Sequence, residues 1–226
     1  NGEIHLLNAK IKAEEEKLPA ARAEFAKERL ELENQIREGA AERRRMHNTI
    51  QELRGNVRVF ARIRPFLPTD DVADNEMPCV IPKSDTELKL TTDGDERKAT
   101  PFTFDRVFGP VSSQEAVFIE VAEFVQSALD GYNVTLFSYG QTGSGKTHTM
   151  QGSGLGQMRG IIPRAIEQVG EYKNELEAQG WKYEMQVSFL EIYNESIRDL
   201  LRGDDEDIGD KKHEIKVKSD GTRFVT

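Results

Sequence analysis

The chain has 226 residues, of which 37% are hydrophobic and 31% charged, which is enough for one cored domain with an extension. No apolar run reaches the roughly 20 residues that a membrane helix needs. The formal net charge is −9, and residues 1–54 hold equal numbers of basic and acidic side chains, so the acidity lies in residues 55–226. An acidic domain is a poor general binder of nucleic acid. We therefore expect neither a membrane nor a nucleic-acid partner.

The cysteine content and the first residues bear on the compartment. The single cysteine, Cys79, cannot form an internal disulfide, and the sequence shows no signal peptide. Both features favour a reducing intracellular compartment. Because the sequence begins with Asn1 rather than Met, we expect it to be a piece of a longer chain.

Residues 1–54 carry a seven-residue repeat. Apolar side chains recur at this spacing, with Gly39 as the gap: Ile4, Ile11, Leu18, Phe25, Leu32, Met46 and Leu53. The repeat is typical of one core position of a coiled coil, and because the companion position is mostly polar, we predict a weak or short one. Proline is disfavoured inside a helix, so continuous helix is expected to begin at Pro19. An alternative is a single amphipathic helix that lies on the following domain.

The next segment is predicted to be rich in short strands. Gly55 is placed to end the helix in a left-handed conformation, and residues 57–64 alternate in polarity before Pro65, which predicts a first strand. Prolines and the Asp93-Gly94 turn then separate short segments that we expect to form small antiparallel strands: residues 79–81, 87–91 and 102–104.

A helix and a buried strand are predicted before the central motif. Ser112 and Glu115 fit a capping box, and an apolar helical face follows it as far as Gly131, so we expect a helix that packs on the sheet. Residues 134–139 are apolar enough for a short buried strand. After the motif, we predict these elements in order: a glycine-rich interruption at 151–160, a helix from Pro163 to Leu176, a strand at 183–193, a short helix at 195–201, a solvated acidic loop at 203–207, and an edge strand at 214–218.

The central motif is a phosphate-binding loop. Eight consecutive residues match the pattern G-x-x-x-x-G-K-[ST] at every fixed position: Gly140, Gln141, Thr142, Gly143, Ser144, Gly145, Lys146 and Thr147. Glycines let backbone N–H groups turn around a β-phosphate, and the helix that follows offers its positive end to the same anion. Lys146 would reach the β- and γ-phosphates, and the Thr147 hydroxyl would bind Mg²⁺. The motif predicts a nucleoside triphosphate site; the alternative is a glycine-rich surface turn.

Four segments together resemble one family. They are VRVFARIRP at 57–65, FTFDRVF at 102–108, YGQTGSGKTHTM at 139–150 and SFLEIYNE at 188–195. In this order they resemble a kinesin motor domain, and the helix that runs through residues 50–56 into the first strand resembles the neck of kinesin-14 motors. The resemblance implies a three-layer α/β P-loop NTPase over residues 55–226, the N-terminal part of the motor domain, preceded by a coiled-coil neck at 1–54.

The resemblance also implies an activity and partners. Kinesin-14 motors hydrolyse ATP with Mg²⁺ and step toward microtubule minus ends, and the neck relays movement of two switch loops to the stalk. The implied partners are microtubules and a second coiled-coil chain, either identical or different. The implied locations are the cytoplasm, the cytoskeleton and the spindle, with the nucleus as a further candidate.

Individual residues inherit roles from this resemblance. Arg62 and Pro65 match the Arg-x-Arg-Pro motif that lines the adenine pocket in the family, and His148 would lie near the same base. The loop from Gly140 to Thr147 would hold the phosphates, with Lys146 as the catalytic group and Thr147 as the metal ligand. For Arg62 the alternative is an exposed strand arginine.

Three further basic residues are candidates for contact with the acidic microtubule surface: Lys216, Lys218 and Arg223. Their alternative role is that of ordinary edge-strand cations that discourage sheet pairing.

The 226 residues lack both switch motifs of the family, Asn-x-x-Ser-Ser-Arg-Ser-His and Asp-Leu-Ala-Gly-Ser-Glu. Phosphoryl transfer depends on positioned charges, so these residues by themselves are expected to bind nucleotide without turning it over. We expect either a truncated product or a part of a larger motor. Two other hypotheses are a non-catalytic nucleotide- or microtubule-binding module and a P-loop enzyme that acts on a small molecule.

Overall fold

The computed structural model describes residues 2–70, 77–91, 98–201 and 213–226. They form two compact units, Asn1–Glu171 and Tyr172–Thr226. The predicted turn at Asp93-Gly94 and the predicted acidic loop at 203–207 lie outside the described residues. Within the described ranges, no helix combines the length and the apolar character needed to cross a membrane.

A single helix, α1, spans Gly2–Arg54 and contains Pro19. The expectation that continuous helix begins at Pro19 is therefore wrong. A proline removes one hydrogen bond from the helical ladder and leaves the others in place, and the residues around it are mostly good helix formers such as Ala, Glu and Lys. The predicted end is confirmed, because Gly55 has φ +101° and donates its N–H to Glu52 O at 3.1 Å.

The seven-residue stripe of α1 is open to solvent. Its apolar members are exposed by 46% at Leu18 to 83% at Leu53. Every described side chain between residues 2 and 39 is exposed, so the alternative of a helix lying on the following domain is wrong for this stretch. An exposed apolar stripe at this period is what a coiled-coil partner would cover.

The last turns of α1 pack against a second helix, α2 (Gln114–Leu129). Three side chains reach one residue of α2: Arg54 Nη1 and Gln51 Nε2 donate to Glu123 Oε2 at 2.6 and 3.2 Å, and His47 Nε2 lies 3.3 Å from Glu123 O. Asn48 is buried and donates its amide to Arg44 O within α1. The polar face of the helix end therefore docks on α2, and the seven-residue stripe stays exposed.

The described residues of the first unit form five short strands. They are β1 (Phe60–Arg62), β2 (Val80–Pro82), β3 (Glu87–Leu90), β4 (Thr100–Thr103) and β5 (Arg106–Phe108). β1 and β5 pair in parallel, with Ala61 opposite Val107, while β2, β3 and β4 form an antiparallel sheet. The strands predicted between residues 57 and 104 are thus confirmed in type and order, with β1 shorter than the alternating pattern.

The arginine-bearing side of the first strand faces α2. Arg58 places its guanidinium 4.1 Å from the centre of the Phe124 ring, and Phe60 packs against the buried core. That core contains Phe108 and three residues of the packed helices: Val117, Val121 and Ile161. The predicted packing of the helix on the sheet is confirmed.

The capping box is displaced by one residue. The N-cap of α2 is Ser113, whose Oγ accepts a hydrogen bond from Ala116 N at 3.1 Å, so the predicted pairing of Ser112 with Glu115 is wrong. Neighbouring serines at 112 and 113 offer the same hydroxyl, and only the backbone geometry decides between them. The extended backbone of Ser113, with ψ 163°, makes it the cap.

The central motif leads into a five-residue helix. Residues 134–139 form no strand with any part of the chain that the structure describes, and Tyr139 is 93% exposed, so the expectation of a buried strand is not met. A strand requires a ladder partner, which an apolar sequence alone does not supply. The elements that follow are α3 (Lys146–Met150), a 3₁₀ turn (Gly156–Met158) and α4 (Ile161–Ala178).

Two hairpins form within the part of the second unit that the structure describes. They are formed by β6 (Leu190–Tyr193) with β7 (Ser196–Asp199) and by β8 (Ile215–Val217) with β9 (Arg223–Val225). The helix predicted at 195–201 is therefore wrong. Asn194 and Glu195 have φ +47° and +63°, as a two-residue hairpin turn requires, and the turn returns the chain onto β6. The predicted edge strand at 214–218 is confirmed as β8, and of the strand predicted at 183–193 only β6 forms.

Candidate nucleotide site

The phosphate loop is tightly wound. Gly143 and Gly145 adopt left-handed φ values of +79° and +93°, and Gly145 is the N-cap of α3. A Cβ atom added to Gly140 would lie 2.6 Å from Ser144 Oγ. The positive φ values strain any side chain at these three positions, and one at Gly140 would also force Ser144 Oγ to move. The glycines of the motif are thus required by the path of the chain itself.

Lys146 turns its side chain onto the loop. Its Nζ donates to Gly140 O at 2.9 Å and to Gln141 O at 2.8 Å. An ammonium group has three N–H donors. In the structure, the ammonium of Lys146 uses them to bind carbonyl oxygens of the loop that would surround a phosphate. Thr147 is the next residue of α3, and its side chain is exposed.

A cavity of about 320 Å³ adjoins the loop. Its walls include the three residues predicted to line the adenine pocket: Arg62, Pro65 and His148. They also include three residues of the phosphate loop: Gly143, Ser144 and Gly145. The other lining residues are Ile63, Arg64, Leu67, Pro110, Ser112 and Thr149. Gln141 and Thr142 line a second cavity of about 790 Å³ with apolar residues of β2, while Gly140, Lys146 and Thr147 line neither.

Arg62 is held by protein groups on the wall of the smaller cavity. Its Nη1 donates to Gln114 Oε1 at 2.8 Å and to Thr149 Oγ1 at 3.0 Å, and its Nη2 donates to Ser112 O at 3.3 Å. Partial burial lowers the pKa of Arg62 from its ordinary value. The alternative of an exposed strand arginine is therefore wrong.

Sequence reasoning missed Gln114. It begins α2, is 4% exposed, and bonds Arg62 across the cavity wall. A signal for it exists, since position 114 shares the buried face of the helix with Val117 and Val121. A polar residue on that face has to find hydrogen-bond partners inside the protein.

Arg64 was also missed, and it braces the phosphate loop. Its Nε donates to Gly143 O at 2.9 Å, and its two terminal nitrogens form a bidentate pair with Asp70 at 2.5 and 2.6 Å. Asp70 Oδ2 also accepts from Leu67 N at 2.7 Å. The turn from residue 64 to 70 is thereby closed and joined to the loop.

The ion pair between Arg64 and Asp70 is expected to break at low pH. Hydrogen bonds from Arg64, and next from Leu67 N–H, lower the pKa of Asp70 from 3.8 to about 2. Because the pKa is lower in the folded protein, the pair stabilises fully above about pH 4 and is lost as the pH falls toward 2. Carbon-detected NMR titration of the Asp70 carboxyl group should report this low midpoint. A midpoint near 3.8 would contradict the brace, and D70N should remove the titration altogether.

The protein side chains near the loop could hold Mg²⁺ only together with a bound nucleotide. Among the described residues, no group of three or more His, Cys, Asp or Glu side chains could hold a metal ion. Magnesium commonly uses one or two protein oxygens and completes its shell with phosphate oxygens and water. The exposed hydroxyl of Thr147 fits that pattern.

The wound glycine loop and the helix that follows it place the chain in the P-loop class of folds. A family model described as microtubule binding matches residues 36–201. The chain is 48% identical over 204 residues to Kinesin-like protein KIN-14N of Oryza sativa subsp. japonica and 48% identical over 179 residues to Kinesin-like protein KIFC1 of Homo sapiens. These alignments cover 87% and 71% of the chain but 26% of each relative.

Solved motor structures agree with this assignment. A structure described as the C-terminal motor and motor homology domain of Kar3Vik1, fused to a synthetic heterodimeric coiled coil, matches with a TM-score of 0.78 at 38% identity, covering 97% of this chain and 58% of that one. The motor domain of the Kar3-like kinesin from Ashbya gossypii matches with a TM-score of 0.62 at 36% identity, covering 76% and 52%. The chain belongs to the kinesin-14 class of the kinesin family. It spans about a quarter of the length of the curated relatives named above.

Proposed function

We propose that this protein is an ATP-driven microtubule motor and that residues 55–226 contribute its nucleotide site. The observation that carries the proposal is the cavity that joins Arg62, Pro65 and His148 to the phosphate loop. Arginine and histidine side chains can stack on a planar base, and proline offers an apolar surface beside it. The adenine would occupy this cavity, and the phosphates would lie along the loop from Gly140 to Thr147.

Lys146 and Thr147 are assigned to the phosphate end. Lys146 would exchange the two loop carbonyl oxygens that it now contacts for β- and γ-phosphate oxygens, which bind an ammonium more strongly because they are charged. Thr147 would supply one oxygen ligand to Mg²⁺, and the bound ion would neutralise the charge on the phosphates. The switch loops of the family would add the groups that position the attacking water.

The proposed motor uses α1 as its neck and stalk. The docked end of α1 lies on α2, and the exposed stripe would pair with a second helix, either from an identical chain or from a different one. The Kar3Vik1 structure joins a motor and a motor homology domain through a fused synthetic heterodimeric coiled coil, and a two-chain arrangement of that kind supports this pairing. Minus-end movement is proposed from membership of the kinesin-14 class, and polarity-marked microtubules would test it.

Contact with microtubules is proposed to involve the hairpin of β8 and β9. It contains Lys216, Lys218 and Arg223, whose charge complements an acidic filament. Lys216 lies 3.7 Å from Glu214, and Lys218 lies over the Phe224 ring at 5.6 Å. We place the protein on cytoplasmic and spindle microtubules, with the nucleus as a further location.

The ATPase rate of the full-length protein, measured with and without microtubules, tests the proposal. The rate should rise severalfold when microtubules are added. Nucleotide binding without turnover would support a non-catalytic module. Turnover that is indifferent to microtubules would instead support an enzyme acting on a small molecule, and either result would contradict the motor.

A further inference from the structure

The side chain of Gln114 links three segments around the smaller cavity. Its Nε2 donates to His148 O at 2.6 Å and lies 3.4 Å from Met158 O, while its Oε1 accepts from Arg62 Nη1 at 2.8 Å. One amide therefore joins β1, the helix after the phosphate loop and the glycine-rich turn. With 4% of its surface exposed, it has little access to water as an alternative partner.

These contacts reach the two polar side chains assigned to the base. Gln114 supplies one of the three acceptors that hold the Arg62 guanidinium, and its amide also lies 3.3 Å from His148 Nε2. Its partners Arg62, His148 and Met158 all lie outside the loop from Gly140 to Thr147. A change at Gln114 should therefore reach the base side of the cavity before it reaches the phosphate side.

We propose that Gln114 is a positioning residue that fixes Arg62 and His148 and so sets the affinity for the nucleobase separately from that for the phosphates. The inference rests on the proposed function, because it requires nucleotide in this cavity. Removing the buried amide leaves the half-buried Arg62 short of one acceptor and the His148 carbonyl short of a donor. Losses of this kind cost far more in a protein interior than at the surface.

The test compares ADP with inorganic pyrophosphate, which has no base. In Q114L of the full-length protein, Mg²⁺-dependent affinity for ADP should fall roughly tenfold, the size expected for one lost buried hydrogen-bond partner. Affinity for pyrophosphate should stay unchanged. Isothermal titration calorimetry or competition with a fluorescent nucleotide measures both. Equal losses for the two ligands, or no loss for ADP, would overturn the inference.

Q168L is the matched control. Gln168 of α4 also donates its amide to a backbone carbonyl, Ala122 O at 3.3 Å, but it lies outside the cavity lining. Both affinities should be unchanged in this variant. A fall in ADP affinity equal to that of Q114L would mean that loss of packing explains the effect, and it would contradict a positioning role.

A double-mutant cycle tests whether Gln114 acts through Arg62. In an R62A background, Q114L should cost clearly less ADP affinity than in the wild type, whereas additive losses would overturn the proposed route. Q114E keeps an acceptor for Arg62 and loses the donor to His148 O, so it should retain more ADP affinity than Q114L, and equal affinity would count against the Arg62 contact. Should the wild-type protein bind neither ADP nor pyrophosphate, the proposed function itself fails, which is distinct from failure of the Gln114 inference.

Discussion

Replacing Lys146 with alanine is expected to abolish Mg²⁺-dependent nucleotide binding. The ammonium would contact both terminal phosphates, and charge-assisted hydrogen bonds of about 1.5–3 kcal/mol each correspond to a loss of affinity on the order of a hundredfold or more. Titration with a fluorescent ATP analogue measures the loss directly. The variant should fold normally, because the present contacts of Lys146 are two loop carbonyl oxygens near the surface.

K173A is a suitable control for this experiment. Lys173 forms an ion pair with Glu177 at 3.2 Å on α4, well away in sequence from the phosphate loop. The K173A variant loses one lysine charge but keeps every side chain of the nucleotide site, so its nucleotide affinity should not change. Unchanged affinity or turnover in K146A would remove Lys146 from the site.

Replacing Phe108 with alanine is expected to destabilise the first unit by about 3–5 kcal/mol, the range measured for large aromatic side chains in protein cores. Phe108 is 5% exposed and meets the Phe60 ring edge-on with 6.2 Å between centroids. The cavity would open between β1, β5 and α2, beside buried Val117 and Val121. Urea unfolding followed by circular dichroism would measure the change.

I119A provides the surface comparison for F108A. Ile119 lies on the outer side of α2 and is 64% exposed, so its truncation should change stability by no more than about 0.5 kcal/mol. Equal effects of the two substitutions would mean that the side chains packed around Phe108 do not form the stabilising core of this unit.

Local patterns predicted most elements of the fold, and long-range pairing decided the exceptions. The apolar face of α2 encodes a burial pattern that survives in the structure. The alternation of residues 57–64 predicts the strand β1, but the side that bears Arg58 and Phe60 packs inward, while Val57 and Val59 on the apolar side are exposed. Residues 195–201 favour a helix locally, but pairing of Ile197 with Ile192 across the β6–β7 hairpin outweighs that preference. Residues 134–139 have an apolar sequence that favours a strand, but among the described residues they form no hydrogen-bonded strand pair.

Part of the candidate nucleotide site could also be predicted from local sequence, and part of it could not. The phosphate loop is contiguous in sequence, so its spacing alone predicts its winding. Gln114 and Arg64 act through contacts to residues 52 and 79 positions away in the chain, and no local pattern encodes such partners. For Gln114 the sequence holds one signal, which is its place on the same helix face as Val117 and Val121.

The docked end of α1 gives the helix the geometry of a lever. Contacts at His47, Gln51 and Arg54 hold that end on α2, while residues 2–39 extend in solvent. At 1.5 Å per residue, the exposed part is roughly 57 Å long, so a 10° tilt at the docked end would move the far tip by ~10 Å. A small rotation of α2 that leaves the side chains packed around it in contact would therefore move the far end of α1 by more than the width of a helix backbone.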